Sequence, residues 1–187
     1  MPSRPVEFKI RSLTELEDLA VHPRVMGALR ATSNNLHAAG VRHAALGAIA
    51  VGVHGWPRAT SNVELLLGPE AWTEAPDGSL TPNIPMPETV NGVGVDYLHV
   101  GIAGDFLIDA FASAHISEGV PIARVEVVIL TKLIRLVTRD HADIVELLKA
   151  GLFDPSMVET YLETHAPMLT PRFRVLAEQA KKEKLRG

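Results

Sequence analysis

Short runs of apolar residues, each interrupted by a few polar side chains, mark the middle of this chain. The runs "VRHAALG", "SNVELLLG" and "GVGVDYLHVG" each predict a β-strand, because they are short, apolar and close to a glycine. Successive side chains of a strand point to opposite faces, so Asn62 and Glu64 share one face of the second strand with Leu66. The third strand places Asp96 among apolar neighbours. Two strands therefore carry acidic or amide side chains beside an apolar core.

Helical spacing and capping residues predict helices on both sides of these strands. The segments are "SLTELEDLA" after Ser12 or Thr14 as a cap, "PRVMGALRATSNNLHAAG" from Pro23 to Gly40, "AIAVGVHG", "DFLIDAFASA", "EVVILTKLIRLVTRDHADIVELLKAG" with a break near 138–140 and an end at Gly151, "DPSMVETYLETH" after Asp154, and 171–184. The order is helix, strand, helix, two strands and then helices, which indicates an α+β domain.

The chain length fits one domain with a helical tail. We expect N-terminal helices over 1–40, an α/β core over 41–124 and a helical C-terminal part over 125–187, all in a single compact unit. Residues 69–92 contain many prolines, so we expect a loop or a loosely structured insertion there.

Composition removes several classes of protein. The chain has no cysteine, which excludes disulfides, thiolate zinc sites and a cysteine nucleophile, and fits a reducing cytoplasm. A net charge of −4 argues against a free-standing nucleic-acid binder, although local basic patches remain open. The first residues lack the apolar core of a secretory signal, and the apolar run at 44–53 is far shorter than the roughly 20 residues that span a bilayer. We therefore expect a cytoplasmic protein without a membrane partner.

The stretch "GAIAVGVHGWPRATSNVEL" carries the candidate chemistry. It begins with the turn Gly47-Ala48, continues through a helix to "GWPRAT" and ends in the strand that holds Asn62 and Glu64. This order resembles the DNA polymerase β-like nucleotidyltransferase superfamily, in particular small bacterial members related to abortive-infection toxin nucleotidyltransferases. Their pattern is a strand, a Gly-Gly or Gly-Ser turn, a helix and then Gly-x-x-Arg-x-Thr-x-Asp-hydrophobic-Asp. Asp96 matches the third carboxylate of the pattern.

The C-terminal part extends the resemblance to about residues 41–151. Members usually carry a lysine on one helix and Arg-x-x-Asp-x-x-Asp-like residues at the start of the next; in this chain they are Lys132, Arg139, Asp140 and Asp143. The resemblance implies a small mixed sheet flanked by helices. It also implies transfer of a nucleotide from an NTP to a hydroxyl on RNA, protein or a small molecule, with Mg²⁺ as cofactor.

The resemblance also assigns roles to individual residues. Asn62, Glu64 and Asp96 occupy the catalytic and metal positions, and Gly47, Ala48, Arg58, Thr60 and Lys132 occupy the nucleotide-binding positions. The physical basis is that Mg²⁺ prefers hard oxygen ligands, and acids two residues apart on a strand point the same way. Backbone N–H groups beside a glycine and cationic side chains suit phosphates.

Three residues depart from the pattern. Asn62 replaces an acid, Glu64 replaces an aspartate and Ala48 replaces a glycine or serine. The loss of charge at Asn62 should weaken metal binding and raise the reaction barrier. Three hypotheses stay open: a weak transferase, a pseudoenzyme kept for nucleotide sensing or as a component of a toxin–antitoxin pair, and a protein that shares only the fold.

Each candidate residue also has an ordinary structural interpretation. Asn62 and Glu64 could form the solvated face of an edge strand, Asp96 could cap a turn, and Lys132 could be a solvated helix lysine. Asp140 and Asp143 are expected to brace a helix onto the sheet. His54 is expected to pack or cap rather than bind a ligand.

Overall fold

The fold is built on a sheet of short strands that pair in both parallel and antiparallel directions. The computed structural model describes residues 10–101, 107, 110–111, 113–135 and 137–186. In these residues the strands are β1 His43–Ala45, β2 Asn62–Leu67, β3 Trp72–Glu74, β4 Leu80–Pro82, β5 Thr89–Val90, β6 Val93–His99, β7 His115–Ser117 and β8 Val120–Ile122. The α-helices are α1 Leu13–Leu19, α2 Pro23–Ala38, α3 Gly47–Val53, α4 Val125–Arg135, α5 Thr138–Ala150, α6 Pro155–His165 and α7 Thr170–Lys184.

The main sheet has six strands in the order β5-β6-β2-β1-β8-β7. Strand β2 is antiparallel to β1 and parallel to β6, while β1 is parallel to β8. Helix α2 contacts β1, β2 and β8, and α4 contacts α3, α5 and α6. The predicted α+β class, with a mixed sheet flanked by helices and a helical C-terminal part, is confirmed.

Local signals in the sequence fix several helix ends. The Ser12 hydroxyl accepts the N–H of Glu15, and the Glu15 carboxylate accepts the N–H of Ser12, which forms a capping box before α1. Gly151 ends α5 at a φ of 68°, in the left-handed region that glycine enters without strain. The predicted break in the long helix is confirmed, but α5 already begins at Thr138.

The segment 69–92 is more ordered than predicted. It contains the antiparallel pair β3–β4 and the edge strand β5, which pairs with β6. Gly78 at φ +81° and the N–H of Ser79 bonded to the Asp77 carboxylate form the turn between β3 and β4. The many prolines of this segment led to the prediction of irregular structure. Proline is nevertheless tolerated on edge strands, so these short strands can form.

Two other differences concern residues after 100. The hairpin β7–β8 was not predicted, since strands of three residues are too short to show a period. The helix predicted for "DFLIDAFASA" lies mostly outside the described residues.

One hydrophobic cluster holds the described elements together. It contains buried side chains from most of the described elements, such as Leu16 of α1, Leu65 of β2, Ile129 of α4 and Phe173 of α7. The division into 1–40, 41–124 and 125–187 stays a prediction. Among the helices that the structure describes, none has the length and apolarity to cross a membrane.

His54 belongs to the packing of the core and not to the cleft described below. It is buried, and its Nε2 atom lies 2.7 Å from the carbonyl oxygen of Ala123, to which the ring donates. Burial lowers the pKa of His54, and the Ala123 carbonyl and the charge of Glu126 offset this only partly. Burial likewise lowers the pKa of His43. Both side chains are therefore neutral in the folded protein near neutral pH.

This arrangement predicts a pH dependence of stability. Because the folded-state pKa of His54 is below its unfolded value of 6.5, stability is fully present above pH 6.5 and declines as the pH falls below it. We expect urea melts to show this loss between pH 7.5 and pH 5.5. Replacing His54 by glutamine, which can still donate to Ala123 but does not titrate, should reduce the slope. An unchanged slope in that variant would remove His54 as a cause.

Candidate functional site

The polar side chains of β2 and β6 meet on one face of the sheet. In the parallel pairing of these strands Glu64 lies opposite Asp96 and Asn62 lies opposite Gly94. Residues opposite each other in register point to the same face, so the sequence prediction that Asn62, Glu64 and Asp96 come together describes their backbone positions correctly. Their side chains nevertheless do not converge on one point, because Asn62 binds Asp96 whereas Glu64 binds Arg135.

Asn62 uses both ends of its amide on neighbouring side chains. Its Nδ2 atom donates to Oδ2 of Asp96 at 2.6 Å, and its Oδ1 atom accepts the hydroxyl of Thr60 at 3.1 Å. The opposite orientation of the amide would place its oxygen against a carboxylate, so the hydrogen-bond network fixes the orientation. The Thr60 hydroxyl is therefore engaged by Asn62 in this arrangement.

Glu64 turns away from Asp96 toward the turn between β1 and α3. The N–H of Leu46 donates to the backbone carbonyl of Glu64 at 2.9 Å, which ties that turn to β2. Gly47 has a φ of +58°, and a Cβ at this position would lie 2.6 Å from the carboxyl carbon of Glu64. The glycine thus leaves the space that the Glu64 carboxylate occupies. Ala48, the next residue, is buried at the edge of the cleft.

Arg135 lines the cleft described below and is a residue that the sequence interpretation missed. Its Nη1 atom donates to Oε2 of Glu64 at 3.0 Å, and its Nε atom lies 3.7 Å from Oδ2 of Asp140. The side chain is about half exposed, at 49%. The sequence feature that could have identified Arg135 is its position three residues after Lys132, a predicted site residue. Residues three apart on a helix lie on the same face.

A buried ion network lies behind these residues. Lys132 Nζ contacts Oδ1 of Asp140 at 2.7 Å and Oδ2 of Asp143 at 2.6 Å, and all three side chains are nearly inaccessible. Arg58 binds both oxygens of Asp143, each at 2.8 Å. Burial by itself raises the pKa of Asp143, but the hydrogen bonds from Arg58 and Lys132 outweigh it and hold that pKa below its usual value. The network joins α4, α5 and the segment before β2.

Asp140 and Asp143 therefore brace α5 onto α4 and, through Arg58, onto the segment before β2, whereas the expectation from the sequence was a helix braced onto the sheet. The predicted nucleotide-binding roles of Arg58 and Lys132 stay predictions. In this arrangement their cationic groups are turned mainly to the two aspartates.

An open cleft of about 520 Å³ lies in front of this network. Its walls come from the segment before β2, from β2 itself, from the end of α4 and from the start of α5. The lining residues are Ala48, Arg58, Ala59, Thr60, Ser61, Asn62, Glu64, Lys132, Arg135, Val137, Arg139 and Asp140. The Arg139 side chain is exposed at the rim and forms no hydrogen bond or ion pair within the described part of the chain.

A second cavity also borders the Glu64–Arg135 pair. It measures about 30 Å³, room for one water molecule, and apolar side chains such as Leu66, Leu98 and Ile134 line it. Of the two cavities that border the Glu64–Arg135 pair, the larger cleft is therefore the one where a ligand of nucleotide size would fit.

The side chains around Asn62 do not fit a magnesium ion as they are arranged. Within the described ranges no three His, Cys, Asp or Glu side chains come together closely enough to hold a metal. Asp96 accepts an amide N–H and Glu64 accepts a guanidinium, so each carboxylate already faces a donor. A divalent ion would have to displace both donors to reach the oxygen ligands that it prefers.

The comparisons with known proteins include a solved structure that is similar to this chain. No family model and no curated protein matches this chain. The crystal structure of an antigenic nucleotidyltransferase-like protein from Paracoccidioides brasiliensis aligns with a TM-score of 0.44 and 16% sequence identity. The alignment covers 88% of this chain and 94% of that chain.

Proposed function

We propose that this protein has the nucleotidyltransferase fold but no transferase activity, and that it binds a nucleoside triphosphate in the cleft between β2, α4 and α5. The observation that carries the proposal is the hydrogen bond of 2.6 Å from the Asn62 amide to the Asp96 carboxylate. It places an N–H donor where a nucleotidyl transfer site needs a negatively charged metal ligand.

Electrostatics favours the loss of catalysis. Transfer of a nucleotidyl group needs preorganised charge that stabilises the developing charge on the phosphates, and metal ions held by carboxylates normally supply it. Asn62 contributes no charge, and the charge of Glu64 is paired with Arg135. The transfer reaction would therefore lose most of the electrostatic stabilisation that the carboxylates of the family pattern provide.

The lining of the cleft supports binding of a phosphate-bearing ligand. Arg58, Arg135 and Arg139 bring three guanidinium groups to it, and guanidinium matches the geometry of phosphate oxygens. Its volume falls within the roughly 300–1,000 Å³ that is usual for small-molecule sites. Nucleotide binding without transfer is consistent with both features.

A weak transferase is the second candidate. The observation that favours it is the register of β2 and β6, which keeps Glu64 and Asp96 opposite each other on one face. If both side chains turned toward the cleft, two carboxylates could share one ion. This function predicts pyrophosphate release that depends on Mg²⁺ and on Asp96.

Calorimetric titration of the four NTPs, followed by an assay for pyrophosphate release with mixed RNA and protein acceptors, tests the proposal. We expect at least one NTP to bind and no pyrophosphate to form. Release that disappears in the Asp96→Asn variant would contradict the proposal and establish the weak transferase. Absence of binding by every NTP would contradict the nucleotide-binding part.

Replacing Asn62 by aspartate should recreate a metal site. The variant brings two carboxylates together where the unaltered protein has a hydrogen bond, so without metal it should lose roughly 1–2 kcal/mol of stability. Addition of Mg²⁺ should restore the melting temperature of the variant and leave that of the unaltered protein unchanged. The matched control is Asn34→Asp on the exposed face of α2, which adds the same charge away from the cleft. A variant that melts identically with and without Mg²⁺ would contradict this prediction.

A further inference from the structure

We propose that the cleft binds the phosphate tail of its ligand without any divalent cation, and that the Arg135 guanidinium takes the position at Glu64 that a metal would otherwise hold. This inference rests on the proposed nucleotide binding and adds the chemistry of recognition. The ligand class is a free polyanion, such as the metal-free triphosphate of a nucleotide.

The first step is the position of Arg135 itself. A guanidinium nitrogen 3.0 Å from Glu64 Oε2 neutralises the carboxylate from the side of the cleft. Gly47 closes the opposite side, since a Cβ there would lie 2.8 Å from both carboxylate oxygens. The Glu64 carboxylate is thus held between the glycine and the guanidinium, and a cation from solvent has to compete with Arg135 for it.

The second step concerns the remaining carboxylate on the sheet face. Asp96 Oδ2 accepts the Asn62 amide, and the oxygen of that amide accepts the Thr60 hydroxyl. Turning the amide oxygen toward a metal would break both hydrogen bonds at once. The chain therefore stabilises the metal-free arrangement on both strands.

The third step is the balance of charge in the cleft. Four cationic side chains and two acidic ones line it: Arg58, Lys132, Arg135 and Arg139 against Glu64 and Asp140. Arg58 and Lys132 are neutralised mainly by Asp143 and Asp140, whereas the Arg139 side chain has no partner among the described residues. Arg139 and the half-exposed Arg135 are the cations that can turn to a phosphate.

The fourth step explains how the Arg135 guanidinium can bind a ligand and still keep a carboxylate as its counter-ion. Oδ2 of Asp140 is buried and accepts no hydrogen bond from the residues that the structure describes, and it lies 3.7 Å from Arg135 Nε. If Arg135 turns from Glu64 toward a phosphate, Asp140 remains as its counter-ion. A bridging guanidinium of this kind holds a carboxylate with one edge and a phosphate with the other.

The inference reverses the expected effect of neutralising Glu64. In a site that holds Mg²⁺, Glu64→Gln removes a metal ligand and weakens nucleotide binding. In the arrangement proposed here, the same substitution removes an anion that competes with the ligand for Arg135. We therefore expect Glu64→Gln to tighten the binding of ATP about 3–10-fold in the absence of metal, and Arg135→Gln to weaken it by at least as much.

The experiment is calorimetric titration of ATP into the full chain, once in EDTA and once in excess Mg²⁺. The proteins are the unaltered chain, Glu64→Gln, Arg135→Gln and the control Arg24→Gln, which removes an exposed arginine of α2 outside the cleft. Glu64 and Arg135 are partly exposed, so both variants should fold, and thermal melts check this. We expect the unaltered protein and the control to bind ATP in EDTA, and Mg²⁺ to weaken this binding by reducing the charge of ATP.

The outcomes separate the inference from the proposed function. Binding of ATP only in Mg²⁺, or weaker binding by Glu64→Gln in EDTA, would overturn the inference and leave the proposed function standing. Absence of binding by ATP and by the other three NTPs in both buffers would overturn the proposed function and this inference with it. Tripolyphosphate that competes with ATP in EDTA would support recognition through the phosphates, and failure to compete would contradict it.

Discussion

Replacing Asp143 by asparagine is expected to lower the free energy of unfolding by about 3–5 kcal/mol, because it leaves buried cations without a full counter-charge. The Asp143 side chain is 2% exposed and accepts hydrogen bonds from both Arg58 and Lys132. Lys132, itself 5% exposed, would keep only Asp140. Asparagine keeps the size of the side chain, so the loss reports on charge and not on a cavity.

The matched control for this prediction is Glu146→Gln on the same helix. Glu146 pairs with Lys149 at 2.8 Å, but both side chains are more than a quarter exposed, so the loss should stay within about 1 kcal/mol. Urea denaturation at pH 7 measures both variants. If Asp143→Asn costs no more than Glu146→Gln, the buried network does not stabilise the fold.

Acid should affect the unaltered protein in a related way. The folded-state pKa of Asp143 lies below its unfolded value of 3.8, chiefly because the hydrogen bonds from Arg58 and Lys132 exceed the effect of burial. The stability that Asp143 contributes is therefore fully present above pH 3.8 and is lost as the pH falls through the folded pKa. The Asp143→Asn variant should lack this part of the acid transition.

Much of the fold follows from local patterns in the sequence. The strand that holds Asn62 and Glu64 was predicted from its short apolar run, the end of α5 from Gly151, and the start of α1 from Ser12 or Thr14, of which Ser12 is the cap. The hairpins β3–β4 and β7–β8 were not predicted, because strands of three residues gain their stability from neighbours that are distant in sequence.

The backbone positions of the candidate site residues could be predicted from the sequence, but the partners of their side chains could not. Alternation along β2 places Asn62 and Glu64 on one face, and the resemblance adds Asp96. The partners of these side chains depend on how close α4 comes to β2, which no local pattern reports. Arg135 is 71 residues from Glu64 in sequence, so only the packed structure reveals that this arginine faces the carboxylate.

Gly47→Ala is expected to cost about 2–3 kcal/mol and to displace the Glu64 carboxylate from its place in the cleft. A residue with a Cβ at a φ of +58° is strained by about 1–2 kcal/mol. The new Cβ would also lie 2.6 Å from the Glu64 carboxyl carbon, so that side chain must move and its partly exposed pair with Arg135 must open, at about 1 kcal/mol.

Gly40 provides the control that separates these two costs. Gly40 has a φ of +71°, but a Cβ there would meet no atom of the described residues within 4 Å, so Gly40→Ala should cost only the backbone strain. In a Glu64→Ala background the Cβ at position 47 has room, and the cost of Gly47→Ala should fall to that of Gly40→Ala. Urea denaturation of the four variants gives this coupling energy, which we expect to be about 1 kcal/mol. A coupling of zero would mean that Gly47 is required for its backbone conformation alone, and that the Glu64 carboxylate does not depend on the glycine for its position.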